Sequence, residues 1–189
     1  MGNIGAHMVE TPLGVFSVVW SATGISRCVL PEPDRASAQR RLAERGGANV
    51  SIVDDQTALP VAAQTAIAAL RAYAAGDEAA FDSVVLDMAG IDPFRHDIYT
   101  AARGLRHGEI VTYGELALRA GHPGKARETG AALGSNPFPP IVPCHRIIAA
   151  GGKLGGFSAA GGTRTKKRLL AHERAVPPAQ DPAQGAFAF

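Results

Sequence analysis

The apolar pattern of this chain changes character once, at Ile91-Asp92-Pro93. Ahead of that point, short β-branched and aromatic runs alternate with helical stretches, which calls for a mixed module. After it, Phe94, Ile98, Ala102 and Leu105 recur at helix spacing and helical signals dominate. With 189 residues there is room for two modules. The reading is therefore α+β: residues 1–90 form an amino-terminal α/β module, residues 91–175 a mostly helical module, and residues 176–189 a disordered Pro-, Ala- and Gln-rich tail.

Within the first module, VFSVVW and ISRCVL flank a Thr-Gly turn and predict a hairpin. DRASAQRRLAERG predicts a short exposed helix ending at Gly46-Gly47, NVSIVDD a strand, and Pro60 to Ala75 a helix stopped by Gly76-Asp77. FDSVVLDM alternates apolar and polar residues and reads as a further strand. GAHM at 5–8 has the look of a cloning remnant and carries no weight here.

In the second module the helix from Phe94 is expected to end at Gly108. Thr112 and Glu115 spell a Thr-x-x-Glu capping box, and Gly121-His122-Pro123-Gly124 separates two short helices, the second from about Ala126 to Leu133. Two short helices about a tight turn have the outline of a helix-turn-helix, although a plain helical hairpin is commoner. The glycine-rich stretch 149–164 lacks the Gly-Lys-Ser/Thr ending of a phosphate loop and reads as a loop that closes a pocket. A last helix, from about Thr163 to Arg174, carries Arg164, Lys166, Lys167 and Arg168 and turns Leu169 and Leu170 inward.

Composition narrows the function classes. Hydrophobic residues make up 46% and charged residues 19%, ordinary values for a packed core. No apolar run reaches the roughly 20 residues of a membrane helix, and the start lacks the basic-then-apolar order of a secretory signal, so a cytoplasmic protein without membrane attachment is expected. Cys28 and Cys144, the only cysteines, lie far apart, and the six histidines are scattered, which argues against both a disulfide framework and a structural zinc site. The net charge of +2 hides an asymmetry: residues 1–90 carry 6 Lys+Arg against 10 Asp+Glu, and residues 91–174 carry 13 against 6. A basic second half beside an acidic first half suggests that the second half faces a polyanion.

The chemistry centres on SNPFPPIVPCHRII. A cysteine is nucleophilic as its thiolate, whose free pKa near ~8.5 must be overcome at neutral pH. The adjacent His145 can take the proton from Cys144 if a third group orients the ring. Prolines at 137, 139, 140 and 143 stiffen the approach to the sulfur. Adjacency alone favours a buried structural cysteine beside an incidental histidine.

The wider pattern resembles the O6-alkylguanine-DNA alkyltransferase family through TYGELA, ARETGAALGSNPFPPIVPCHRII, GGFS and LLAHE, from about Phe94 to Glu173, with a looser likeness at TPLG. The resemblance implies a ribonuclease-H-like amino-terminal module and a helix-turn-helix in the second. It implies transfer of an alkyl group from O6 of guanine in double-stranded DNA to Cys144, once per molecule, with O4 of thymine as a candidate second substrate. It also implies a monomer that needs no metal or organic cofactor. On the same basis His145 relays the Cys144 proton through a water, Glu173 holds His145 in its productive tautomer, and Asn136 braces the turn. Tyr113 hydrogen-bonds the flipped guanine and can donate a proton as it leaves. Arg127 fills the gap left by the base, and Gly130 and Ala131 let the second helix approach the minor groove. The carbonyls of Cys144 and Ile147 read the guanine amino group, Phe157 stacks on the base, and the Ser158 amide faces O6.

Two departures from the family pattern stand out. Phe157 occupies a place where the family usually has tyrosine, and the stretch from Phe157 to the LLAHE helix is about two residues longer than usual. A longer loop could admit bulkier alkyl groups. Two other function classes compete with alkyl transfer: a lesion sensor that flips the base and recruits excision repair, and a Cys-His hydrolase or transferase acting on small substrates. Cys144 argues against the sensor, and the basic half with its paired helices argues against the hydrolase.

Overall fold

The computed structural model describes residues 4–47, 50–78 and 81–177. They form two compact units, one of residues up to Gly90 with Pro137–Ile141, the other of Ile91–Asn136 with the residues from Val142 onward. The α+β class expected from the sequence is what the chain adopts.

The first unit is built on a four-stranded sheet. β1 (Gly5–Thr11), β2 (Gly14–Trp20) and β3 (Ile25–Glu32) are antiparallel, and β4 (Ser51–Ile52) joins β1 in parallel, giving the order β3-β2-β1-β4. The predicted hairpin is β2–β3. GAHM, set aside on sequence grounds, begins β1, and Gly5 to Val9 are all buried. The reason for the miss is physical: β1 lies between two strands and both its faces are covered, so it shows no polar-apolar alternation. On one face, α1 (Arg35–Leu42) packs Ala38 and Leu42 onto Ala6, Met8, Val15, Val19 and Val29. α2 (Val61–Ala75) lies along β1 and β2, burying Ile67, Leu70 and Tyr73, and ends at Gly76, whose left-handed φ of 97° a side chain would resist. Gly5 pairs with Trp20, and a Cβ there would stand 2.4 Å from the indole, so only glycine leaves room for that ring.

Two expectations need correction here. FDSVVLDM forms no strand beyond one parallel bridge, Leu86 to Ile25, with the Ile25 amide donating to Val85 O and the Asp87 amide to Ile25 O. The helix expected to reach Gly46-Gly47 is regular only to Leu42 and then widens into a π-type turn over Ala43–Gly47.

In the second unit, α3 (Pro93–Arg103) starts on the Asp92 cap, with the Asp92 side chain accepting from the Arg95 amide. It stops at Gly104 rather than at Gly108. Ile98, Ala102 and Leu105 face inward as expected, whereas Phe94 is half-buried and rests edge-on against His122. α4 (Tyr113–Arg119) carries the predicted capping box: Thr112 Oγ1 accepts from the Glu115 amide and Glu115 accepts from the Thr112 amide. α5 (Ala126–Gly134) follows after the Gly121–Gly124 turn and is tied to α3 by Tyr99 Oη donating to Ala132 O at 2.8 Å. The closing helix α6 (Thr163–His172) ends two residues earlier than expected, with Glu173 as its cap. Among the described residues, no helix is long and apolar enough to cross a membrane. The tail expectation falls mostly outside the described residues.

Candidate active site

Two short parallel strands assemble the site. β5 (Val111–Thr112) runs directly into α4, β6 (Ile147–Ile148) follows directly on the turn Cys144–Arg146, and the pair aligns Val111 with Ile147 and Thr112 with Ile148. Tyr113 is thereby delivered beside Cys144. The turn before the sulfur is fixed from two sides, because Val142 O accepts both Asn136 Nδ2 at 2.9 Å and the Cys144 amide at 2.8 Å. Asn136 is itself buried.

A pocket of about 540 Å³ opens onto Cys144. Tyr113, Arg127, Gly130, Phe157 and Ser158 line it, so six of the predicted site residues, Cys144 included, share one cavity. Gly156 and Leu133 line it too. Ala131 lies exposed on α5 outside this lining, and Ile147 is buried. The two cysteines differ sharply: Cys144 is partly accessible, whereas burial pushes the Cys28 thiol up to about 12 and removes it as a nucleophile at neutral pH.

His145, next to Cys144 in the chain, belongs to a buried polar network. His145 is fully buried, with Nε2 at 2.6 Å from Glu173 Oε1. Burial disfavours a charged ring and, against the pull of Glu173, lowers the His145 pKa, so the imidazole is neutral. Burial also opposes the Glu173 charge, but hydrogen bonds from His145 and Arg146, with the charge of Arg146, hold the carboxyl well below the usual range. A neutral ring facing a carboxylate through Nε2 must carry its proton there. Nδ1 then bears the lone pair, and this atom is buried without a hydrogen bond to any described residue. The ring is set up to accept a proton on the nitrogen away from Glu173.

Two residues of this network were not singled out by sequence. Arg146 is buried and grips Glu173, with Nε at 2.7 Å from Oε2 and Nη2 at 3.1 Å from Oε1. Lys166, grouped in the sequence reading with the other cations of α6, is fully buried and donates from Nζ to Ile147 O at 2.5 Å and Leu154 O at 2.6 Å. It lies 5.9 Å from the ring centres of both Tyr113 and Phe157. Burial pushes its pKa down to about 8 against the opposing pull of Cys144. The signal for Lys166 was present in the spacing, since 166, 169, 170 and 173 fall at i, i+3, i+4 and i+7 on the inward face. The Tyr113 phenol is raised by burial and further by the charge of Cys144, so it keeps its proton as a donor. Gly155, with φ 70°, lets the loop pass Tyr113, where a Cβ would meet the phenol oxygen at 3.3 Å.

Residues 93–175 match the family described as 6-O-methylguanine DNA methyltransferase, DNA binding domain. The chain is 32% identical over 179 residues to the methylated-DNA–protein-cysteine methyltransferase of Methanothermobacter thermautotrophicus, covering 90% of each protein. It is 44% identical over 120 residues to the protein of the same name from Mycobacterium tuberculosis, covering 64% of this chain and 70% of that one. Among solved structures it is similar to Mycobacterium tuberculosis OGT in complex with DNA, with TM-score 0.69 and 28% identity over 92% of this chain and 96% of that chain.

Proposed function

The chain belongs to the methylated-DNA–protein-cysteine methyltransferase family, and on that premise we propose that Cys144 takes the alkyl group from O6-alkylguanine in DNA directly and irreversibly. The observation that carries the reading is the neutral His145, anchored through Nε2 on Glu173 with Nδ1 making no hydrogen bond to a described residue, next in the chain to a pocket-lining Cys144. His145 accepts the Cys144 proton through a bridging water. The thiolate attacks the alkyl carbon, the carbon–O6 bond breaks, and its electron pair stays on guanine. The imidazolium that forms is balanced by Glu173. Tyr113 hydrogen-bonds the departing base and supplies the proton that guanine gains as negative charge builds on it; the raised pKa keeps the phenol protonated until then. Because nothing in this machinery cleaves a thioether, each molecule reacts once.

The remaining residues take the parts that binding a flipped base requires. A pocket of about 540 Å³ suits one purine with its alkyl group. Phe157 stacks on the base, the Ser158 amide faces O6, and the carbonyls of Cys144 and Ile147 read the guanine amino group. Ile147 O already accepts from Lys166, so it reads guanine with its second lone pair. Residues 91–175 form the DNA-binding and alkyl-acceptor module, in which α4 and α5 act as a helix-turn-helix. α5 enters the minor groove, Gly130 and Ala131 allow close approach, and the exposed Arg127 fills the gap in the stack. Residues 1–90 form a ribonuclease-H-like module, a reading supported by the order β3-β2-β1-β4 with β4 parallel to β1.

The test is single-turnover repair of a duplex carrying one O6-methylguanine. Guanine is expected to be restored in an amount no greater than that of the protein, and not at all with Cys144→Ser. Lesion binding by the unaltered protein without repair would instead make the chain a damage sensor.

A further inference from the structure

Glu173 holds more donors than the orientation of one imidazole requires. Besides His145, its carboxylate accepts Arg146 through Nε and Nη2 and the Gly108 amide at 3.2 Å, while Arg146 Nη1 is fixed on Leu105 O at 2.8 Å. Arg146 is 6% exposed and is absent from the pocket lining, so it cannot serve as a contact to base or phosphate there. A buried guanidinium whose hydrogen bonds, among the described residues, go to one carboxylate and one carbonyl calls for a different role.

We propose that Arg146 is a positioning residue for alkyl transfer, gripping both oxygens of Glu173 so that His145 stays a neutral ring with Nδ1 open to the Cys144 proton. The inference rests on the function read above. A carboxylate hinged on the end of α6 rotates about its side-chain bonds, and the planar fork of arginine fixes both oxygens at once, which a single donor cannot do. The guanidinium also offsets the carboxylate charge. A lone buried carboxylate 2.6 Å from the ring would draw a solvent proton onto it and occupy the atom the relay uses. The charged and titratable groups facing His145 are Glu173 and Lys166 from α6 and its cap, with Cys144 and Arg146 from its own turn. Of these, Glu173 and an ionised Cys144 favour ring protonation, and Arg146 and Lys166 oppose it. Arg146 is the one of the two cations bonded to the carboxylate itself.

Four variants test this: Arg146→Met, Arg146→Lys, Glu173→Gln and the double Arg146→Met/Glu173→Gln. Circular dichroism checks that each is folded. The His145 ring is titrated by NMR without DNA, and lesion affinity and the single-turnover transfer rate are measured separately. Arg146→Met is expected to bring into the neutral range a ring titration that the unaltered protein lacks there. It should slow transfer by about tenfold or more while leaving lesion affinity within about twofold. Arg146→Lys, which keeps the charge and loses the fork, should hold the ring neutral and still transfer slowly. In the Glu173→Gln background the added Arg146→Met should change the rate by less than about twofold, since no carboxylate remains to position. A folded Arg146→Met with unaltered transfer, or an equal loss in both backgrounds, overturns the proposal; if Arg146→Met does not fold, Arg146→Lys is judged on the rate alone. The ring titration needs no DNA, so a failure of alkyl transfer in the unaltered protein would sink the function without deciding the grip on Glu173.

Discussion

Lys166 shows how much one buried charge can report. Burial lowers its amine to about 8 in the folded protein, against ~10.4 in an unfolded chain. Between those values the unfolded chain binds the extra proton, so stability rises with pH; below about 8 the full cost of burying the ammonium is present. Lys166→Met removes this titration. The stability difference between the unaltered protein and Lys166→Met, from chemical denaturation, should therefore move in favour of the unaltered protein between about pH 7 and about pH 10. A difference independent of pH would contradict the assignment. The pairing of Cys144 with His145 is open to reading because the two stand in adjacent letters. The roles of Arg146 and Lys166 are not, because a cation reads as surface until its buried partners are known, and Glu173 lies 27 residues from Arg146.

Among the elements, α4 has the most to do with the site, since its first residue is Tyr113. Thr112→Ala removes the acceptor of the Glu115 amide and should lower stability by about 1 kcal/mol, read from denaturant midpoints, with a smaller loss in Glu115→Gln, which can still cap. Equal and negligible effects would mean that β5 alone sets the helix start. The glycine-rich loop is the second element to probe. Removing two residues between Ala159 and Gly162 should reduce the rate on O6-benzylguanine relative to O6-methylguanine, and an unchanged ratio would show that loop length does not set alkyl preference. These elements were legible because their signals are local: a capping box, a turn, a helix face. FDSVVLDM misled because its alternation promises pairing along the whole run, yet Val85 is 59% exposed and only Leu86 bridges to another strand. A strand needs a partner as well as a pattern, and sequence supplies only the pattern.

On the scale of the whole chain, the basic residues are concentrated in the half that carries the site. The logarithm of the binding constant for duplex DNA should therefore fall linearly with log salt, at a slope of about −0.9 for each phosphate neutralised. Replacing Arg127, which is proposed to fill the stack rather than to neutralise phosphate, should weaken lesion binding and leave that slope nearly unchanged; a slope reduced by about one would reassign Arg127 to the backbone. The sequence divides at residue 91, where the apolar period changes, but carries no local sign that Pro137–Ile141 groups with the unit of residues up to Gly90. That exchange depends on the Cys28 amide donating to Pro137 O at 2.8 Å, a link across more than half the chain that no local pattern encodes.

In the proposed reaction Cys144 itself receives the alkyl group, once. The most direct measurement is the intact mass of the protein after reaction with excess O6-methylguanine duplex, followed by the mass of the peptide carrying Cys144. The expected result is a gain of one methyl in place of one proton, located on Cys144, with no further gain at longer times and none in Cys144→Ser. Repaired guanine with an unchanged protein mass, or a methyl on any other residue, would contradict it.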